Sequence, residues 1–197
     1  MRRVLVESSY GSIWRELMEG ITFYVRAQRT EWQLHCVTTE ELAEGMKREV
    51  DGLLCLLPRA RGEFIERVRR SGIPAVNMLR DATPALPSVL SDHEAIGERG
   101  AEYFLEKGYR RFGFVGVDRE WSEQRWQGFS RRLREAGRKV SRTEVELPAT
   151  PVKAVATAGA LGKLRKWLGE LGTPAAVMAC ADFVSRVVLD ASRRGVK

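Results

Sequence analysis

Arg111-Phe-Gly-Phe-Val-Gly-Val117 is followed, after a polar loop, by Ser122-Glu-Gln-Arg-Trp-Gln-Gly-Phe129 and then by Leu133, Ala136 and Gly137. The first run is short and apolar with no polar alternation, as a strand buried on both faces requires. Phe129, Leu133 and Ala136 recur at helical spacing, and a glycine just past them is a helix stop. One strand followed by one helix is the unit from which parallel sheets are built.

The same unit repeats along the chain. Arg3 to Val6 reads as a strand, with Ile13 or Trp14, Leu17, Met18, Ile21 and Val25 on the helix after it. Trp32 to Val37 is the next strand, and Thr38 or Thr39 can cap a helix running to about Arg48. Asp51 to Leu57 is a third strand ahead of a helix carrying Phe64, Ile65 and Val68, stopped at Ser71-Gly72. Ile73 to Met78 and Pro87 to Ser91 are extended, and a helix after Asp92 places Ile96, Gly100, Ala101, Phe104 and Leu105 on one face up to Gly108. In the second half, Thr143 to Leu147 and Ala175 to Ala179 read as strands. Leu161, Leu164, Leu168 and Leu171 lie on one helix, and Val184, Val187, Val188 and Ala191 on another. The expected class is α/β, with doubly wound parallel sheets. Ligands in such sheets bind outside the carboxyl ends of the strands.

Charge suggests a division. The chain carries 33 Lys and Arg against 26 Asp and Glu, for +7. Residues 1–108 hold 15 basic and 17 acidic residues, and residues 109–197 hold 18 and 9. A boundary is therefore expected at Gly108–Tyr109, giving an N-terminal lobe 1–108 and part of a C-terminal lobe 109–197. The basic half fits nucleic-acid contact or docking on acidic sequence, but no helix-turn-helix, zinc-finger or aromatic-interleaved basic motif accompanies it. The chain stops at Arg193-Arg-Gly-Val-Lys197, where such a fold would enter another strand, so the second lobe is expected to be incomplete.

Hydrophobic residues at 44% and charged residues at 30% are ordinary for a globular protein. No apolar run approaches the roughly 18–20 residues of a membrane span. Val4-Leu5-Val6 is too short for a signal peptide, so a cytoplasmic chain with no membrane contact is expected. The cysteines Cys36, Cys55 and Cys180 read as reduced core residues.

Enzyme motifs are missing. There is no Gly-x-Gly-x-x-Gly after the first strand, no phosphate loop and no Gly-x-Ser-x-Gly elbow. Of two histidines, His35 falls in a strand as a half-buried residue, and His93 beside Asp92 could form an acid–base pair but has no nucleophile to serve. Metal-ligand spacing is absent. No catalytic residue, metal or cofactor is expected.

The loops suit a polar small molecule better. Arg125, early on a helix entered from a carboxyl-end loop, can donate paired bonds to vicinal hydroxyls or a carboxylate. Asp92 can accept from a hydroxyl or simply cap its helix. Asp182 follows the Ala175–Ala179 strand in the same way. Tyr10, Trp14 and Trp121 could stack on a sugar face, Trp14 also reading as a core residue. Arg59 follows the third strand and divides evenly between ligand contact and surface.

Gly72-Ile-Pro-Ala-Val76, Pro87-Ser-Val-Leu-Ser-Asp92, Gly108-Tyr-Arg-Arg-Phe-Gly-Phe-Val-Gly116 and Arg125-Trp-Gln-Gly-Phe129 occur in this order. Together they resemble the effector-binding domain of lac/gal repressor-type regulators, over essentially the whole chain. The resemblance implies a two-lobed type I periplasmic-binding-protein-like fold around a sugar cleft. It implies an effector contact at Arg125 and at Asp92. The family's Asn-Asp matches Ala181-Asp182 here, so the asparagine is missing. Val4-Leu-Val-Glu7, Met18-Glu-Gly-Ile21 and Ala181-Asp-Phe-Val-Ser-Arg-Val-Val-Leu189 are similar to the xylose-operon activator group of the AraC family. In that group the sensor is N-terminal and the DNA-binding domain C-terminal. The resemblance thus implies a homodimeric regulator sensing a sugar, a pentose such as xylose, and reaching DNA through a domain beyond this chain. The rival readings are a sugar-binding protein for uptake, which needs export, and a small α/β enzyme, which needs a nucleophile.

Overall fold

The computed structural model describes residues 1–8, 12–47, 49–56, 62–78, 85–146 and 158–193. The chain forms two compact units, Met1–Ser91 and Asp92–Lys197.

In the first unit, β1 (Arg2–Glu7), β2 (Trp32–Val37), β3 (Gly52–Cys55), β4 (Ala75–Met78) and β5 (Ser88–Val89) form one parallel sheet in the order β2-β1-β3-β4-β5. The order reverses beside β1, so the first crossover lies on one face and the next two on the other. The period-two alternation of strand side chains then sorts the core. Val4 and Val6 face α1 (Ser12–Ala27), packing with Trp14, Leu17, Met18 and Ile21. Leu5, Leu53 and Cys55 face α2 (Thr39–Gly45) and α3 (Gly62–Arg70), packing with Leu42, Ile65 and Val68. Thr38, not Thr39, caps α2. Its hydroxyl accepts from the Glu41 N–H while its own N–H donates to Glu41 Oε2 at 2.8 Å.

The second unit holds the parallel sheet β7-β6-β8, with β6 (Phe112–Gly116) central, β7 (Val140–Glu144) on one side and β8 (Ala176–Ala179) on the other. Helices α4 (His93–Glu106), α5 (Glu120–Glu135), α6 (Ala158–Leu171) and α7 (Asp182–Arg193) pack on it. Phe112, Phe114 and Val115 of β6 are buried with Ala101, Phe129, Leu133, Leu164, Val184 and Val187. Gly108 (φ 77°) and Gly137 (φ 67°) end α4 and α5 in the left-handed region that glycine enters without strain.

Three expectations are corrected. The boundary falls between Ser91 and Asp92, because α4 packs along α5 and belongs to the second unit. A Cβ on Gly97 would lie 2.0 Å from the Arg125 carbonyl oxygen, and one on Gly128 2.0 Å from the Glu94 carbonyl oxygen. Only glycine allows so close a crossing. Arg131 pairs with Glu94 at 2.6 Å and Glu98 at 3.6 Å, and Arg132 with Glu102 at 3.6 Å. The charge step at residue 108 therefore cuts through paired helices. Divided at residue 91, the units hold 13 basic against 12 acidic residues and 20 against 14, or +1 and +6. Second, β7 spans Val140–Glu144 rather than Thr143–Leu147. It is an edge strand with a polar outer row, in which Arg142 pairs with Glu123 and lies 5.3 Å from the centre of the Trp126 ring. Third, Cys36 is exposed, while Cys55 and Cys180 are buried; all three are free thiols.

Candidate functional site

Five elements of the second unit converge at the carboxyl end of its sheet. β6 ends at Gly116, β8 ends at Ala179, and α4, α5 and α7 begin at His93, Glu120 and Asp182. The centre of the cluster is Arg125, on the second turn of α5. Trp121 lies one turn earlier on the same face, as i, i+4 spacing dictates. The Arg125 guanidinium carbon lies 5.2 Å from the Trp121 ring centre, a cation–π contact.

Two neutral acceptors hold the guanidinium. Arg125 Nε donates to His93 Nδ1 at 3.3 Å, and Nη1 donates to the Cys180 carbonyl oxygen. The His93 and Trp121 rings are 6.4 Å apart and inclined at 50°. Arg125 is half-buried; burial lowers its pKa, and the fields of Cys180 and Asp182 work in the other direction. A guanidinium carries five N–H donors. Two are used here by described residues and three are not.

Ser122 braces this arrangement from below. It is fully buried, its hydroxyl accepts from the Val117 N–H at 3.1 Å, and it contacts the Cys180 thiol. Burial pushes that thiol up, with smaller opposing contributions led by the Ser122 hydrogen bond. The Cys180 backbone N–H donates to the Val115 carbonyl at 2.9 Å, so the carbonyl that anchors Arg125 is itself fixed to the sheet.

Asp92 is exposed and caps α4, accepting from the Ala95 N–H at 2.9 Å. The His93 Nδ1 next to it accepts from Arg125 Nε. Asp182 is exposed at the start of α7, within electrostatic reach of Arg125 but not in ion-pair contact with it. Trp14 lies on α1 in the first unit, partly buried against the cluster of Val4, Val6, Leu56 and Met78, which is the core position. Tyr10 and Arg59 fall outside the described residues. The structure thus brings together Arg125 and Trp121, with Asp182 beside them and Asp92 next to their partner His93.

Two further residues were not among the expected contacts. His93 supplies an acceptor to Arg125, and its place directly after a capping aspartate at a carboxyl-end loop is the signal that could have found it. In the first unit, the buried Glu7 accepts from Thr39 Oγ1 at 2.5 Å and from the Leu56 N–H at 2.7 Å, tying the ends of β1 and β3 to the start of α2. A glutamate directly after the apolar Val4-Leu5-Val6 run was its signal. Among the described residues no group of three or more His, Cys, Asp or Glu could hold a metal ion, and no helix is long and apolar enough to cross a membrane.

Residues 101–197 match the periplasmic binding protein-like domain. The transcriptional regulator GntR of Pseudomonas aeruginosa is 30% identical over 204 residues, covering 98% of this chain and 58% of that protein. The regulator MalR of Streptococcus pneumoniae is 26% identical over 89 residues, 44% of this chain and 27% of its own length. The chain therefore spans less than two thirds of the curated relatives it matches. The solved structure of the xylose-binding transcription activator xylR superposes with a TM-score of 0.78 at 19% identity, over 98% of this chain and 50% of that one. The fold is the α/β, parallel-sheet fold of type I periplasmic-binding-protein-like structures. The proteins this chain is similar to are transcriptional regulators, not enzymes.

Proposed function

We propose that this chain is the effector-sensing part of a bacterial transcription regulator and that it binds a sugar-class molecule at the Arg125 site. The observation that carries the reading is the half-buried guanidinium, stacked on Trp121 and held by two neutral acceptors, with three N–H donors not taken by any described residue. An aromatic face beside a rigid multiple donor is the pairing that polyhydroxylated molecules require. The likeness to GntR and MalR, both named as regulators, supports a regulatory rather than a catalytic outcome.

A pentose such as xylose is the first effector to try, on the likeness in shape to the xylose-binding activator. In this reading the regulator is a dimer in the cytoplasm. Its DNA-binding domain lies C-terminal to the sensor. The effector acts only through its differential affinity for the states that domain reads.

Titration calorimetry of the chain against a sugar panel tests the reading. Arg125→Ala should weaken binding of the responding sugar more than about tenfold, the loss of one or two charged hydrogen bonds. Unchanged affinity in that variant removes Arg125 from the site.

A further inference from the structure

We infer that the effector carries an anionic group, a carboxylate or a phosphate, and that this group is what Arg125 takes. The inference rests on the effector-binding reading above and specifies the class of molecule within it.

Arg125 is half-buried, yet no carboxylate lies in ion-pair contact with it among the described residues. Both of its hydrogen-bond acceptors, the His93 ring nitrogen and the Cys180 carbonyl, are uncharged. Burial raises the Cys180 thiol above the ordinary thiol range, so it too is neutral near pH 7. Asp182 is exposed, and its field is screened by solvent. The Asp92 carboxylate is exposed and committed to the Ala95 N–H.

Two of the three other part-buried arginines of the unit are compensated, while Arg165 on α6 has no contact carboxylate among the described residues. Arg132 meets Glu102, and Arg142 meets both Glu123 and Glu144. Arg125 is a half-buried cation at the carboxyl end of the sheet with no contact carboxylate among the described residues, in a unit carrying +6. A partly desolvated guanidinium gains more from a ligand that brings the missing charge than from hydroxyls, because an anion adds direct Coulomb attraction and can accept two parallel N–H bonds. Neutral acceptors fix the guanidinium in place without spending its charge.

The test compares molecules on one skeleton that differ in charge. Calorimetric titrations of the whole chain would use D-xylose, D-xylonate and D-xylose 5-phosphate, and in parallel D-glucose, D-gluconate and D-glucose 6-phosphate. The acid or the phosphate should bind at least about tenfold tighter than the neutral sugar of the same skeleton. Which of the two binds tells carboxylate from phosphate. Raising salt from about 0.05 to about 0.5 M should weaken the charged member and leave a neutral one unchanged. Arg125→Gln should abolish the difference between them, and the salt dependence of the unaltered chain gives the same answer if that variant folds poorly. Equal or tighter binding of the neutral sugar overturns the inference while leaving the sugar-sensing reading in place. Binding by no member of either series overturns both.

Discussion

Cys36 sits exposed on the edge strand β2, whereas Cys55 and Cys180 are buried. Burial, and secondarily the Glu7 carboxylate, pushes the Cys55 thiol up to about 12. A thiolate-directed reagent at pH 8 should therefore label Cys36 in the native chain and reach the other two only on unfolding. Mass spectrometry after brief alkylation checks this, and prompt labelling of Cys55 would contradict the packing around it. The raised value has a consequence for stability. A thiol whose folded pKa is raised contributes stability that is complete below the unfolded value, ordinarily about 8.5. That stability is lost as pH climbs through the folded value. Urea midpoints should therefore fall from about pH 9 upward, and Cys55→Ala should flatten that fall.

His93 offers a second test at this scale. Its Nδ1 accepts from Arg125 Nε, so the neutral ring carries its proton on Nε2. With only two histidines in the chain, a long-range proton–nitrogen spectrum assigns the tautomer directly. A proton found on Nδ1 near pH 7.5 would mean that Arg125 is held by some other partner. This pairing was not legible in the sequence. The two residues are 32 positions apart and meet only because α4 and α5 pack together. The Trp121–Arg125 stack was legible, because four residues on a helix is one turn.

Among elements, the α4–α5 contact is the one on which the site depends. Gly97 and Gly128 each admit the backbone of the other helix, so Gly97→Ala or Gly128→Ala must force the helices apart. Each should cost about 2–3 kcal/mol in urea unfolding, the upper range for overpacking, despite alanine's better helix propensity. Gly162 and Gly169 on α6 have nothing within 4 Å of an added Cβ. Alanine there should be neutral or stabilising by up to about 1 kcal/mol. Equal effects at both pairs of positions would contradict the close crossing. The same contact explains why the boundary was misplaced. Charge counted along the chain cannot show that the glutamates of α4 face the arginines of α5. The shift of β7 has a parallel cause. Val145 and Leu147 draw a strand assignment toward themselves, but register is set by pairing of Phe112 with Val140, and the edge position tolerates Ser141, Arg142 and Thr143.

For the whole molecule, alternation of apolar strands with periodic helices was enough to specify a parallel-sheet α/β fold, because each level of the pattern points the same way, while the division into two lobes came from the charge step and the family resemblance. Charge distribution was less informative. Part of the second unit's basic charge is engaged within the unit, where Arg131, Arg132 and Arg142 meet Glu94, Glu98, Glu102, Glu123 and Glu144. The chain by itself should accordingly show only weak duplex DNA binding that vanishes at about 0.15 M salt, without sequence preference. Fluorescence anisotropy with a labelled duplex checks it, and sequence-specific binding would place a DNA reader within these residues.

The central claim is that the effector is held at Arg125 against the Trp121 ring. A ligand seated there must change the indole's surroundings, so tryptophan emission followed during titration with a sugar or sugar acid tests it most directly. A saturable change that disappears in Trp121→Phe, with Trp14, Trp32, Trp126 and Trp167 intact, is the predicted result. A saturable change of the same size in Trp121→Phe would place the effector elsewhere.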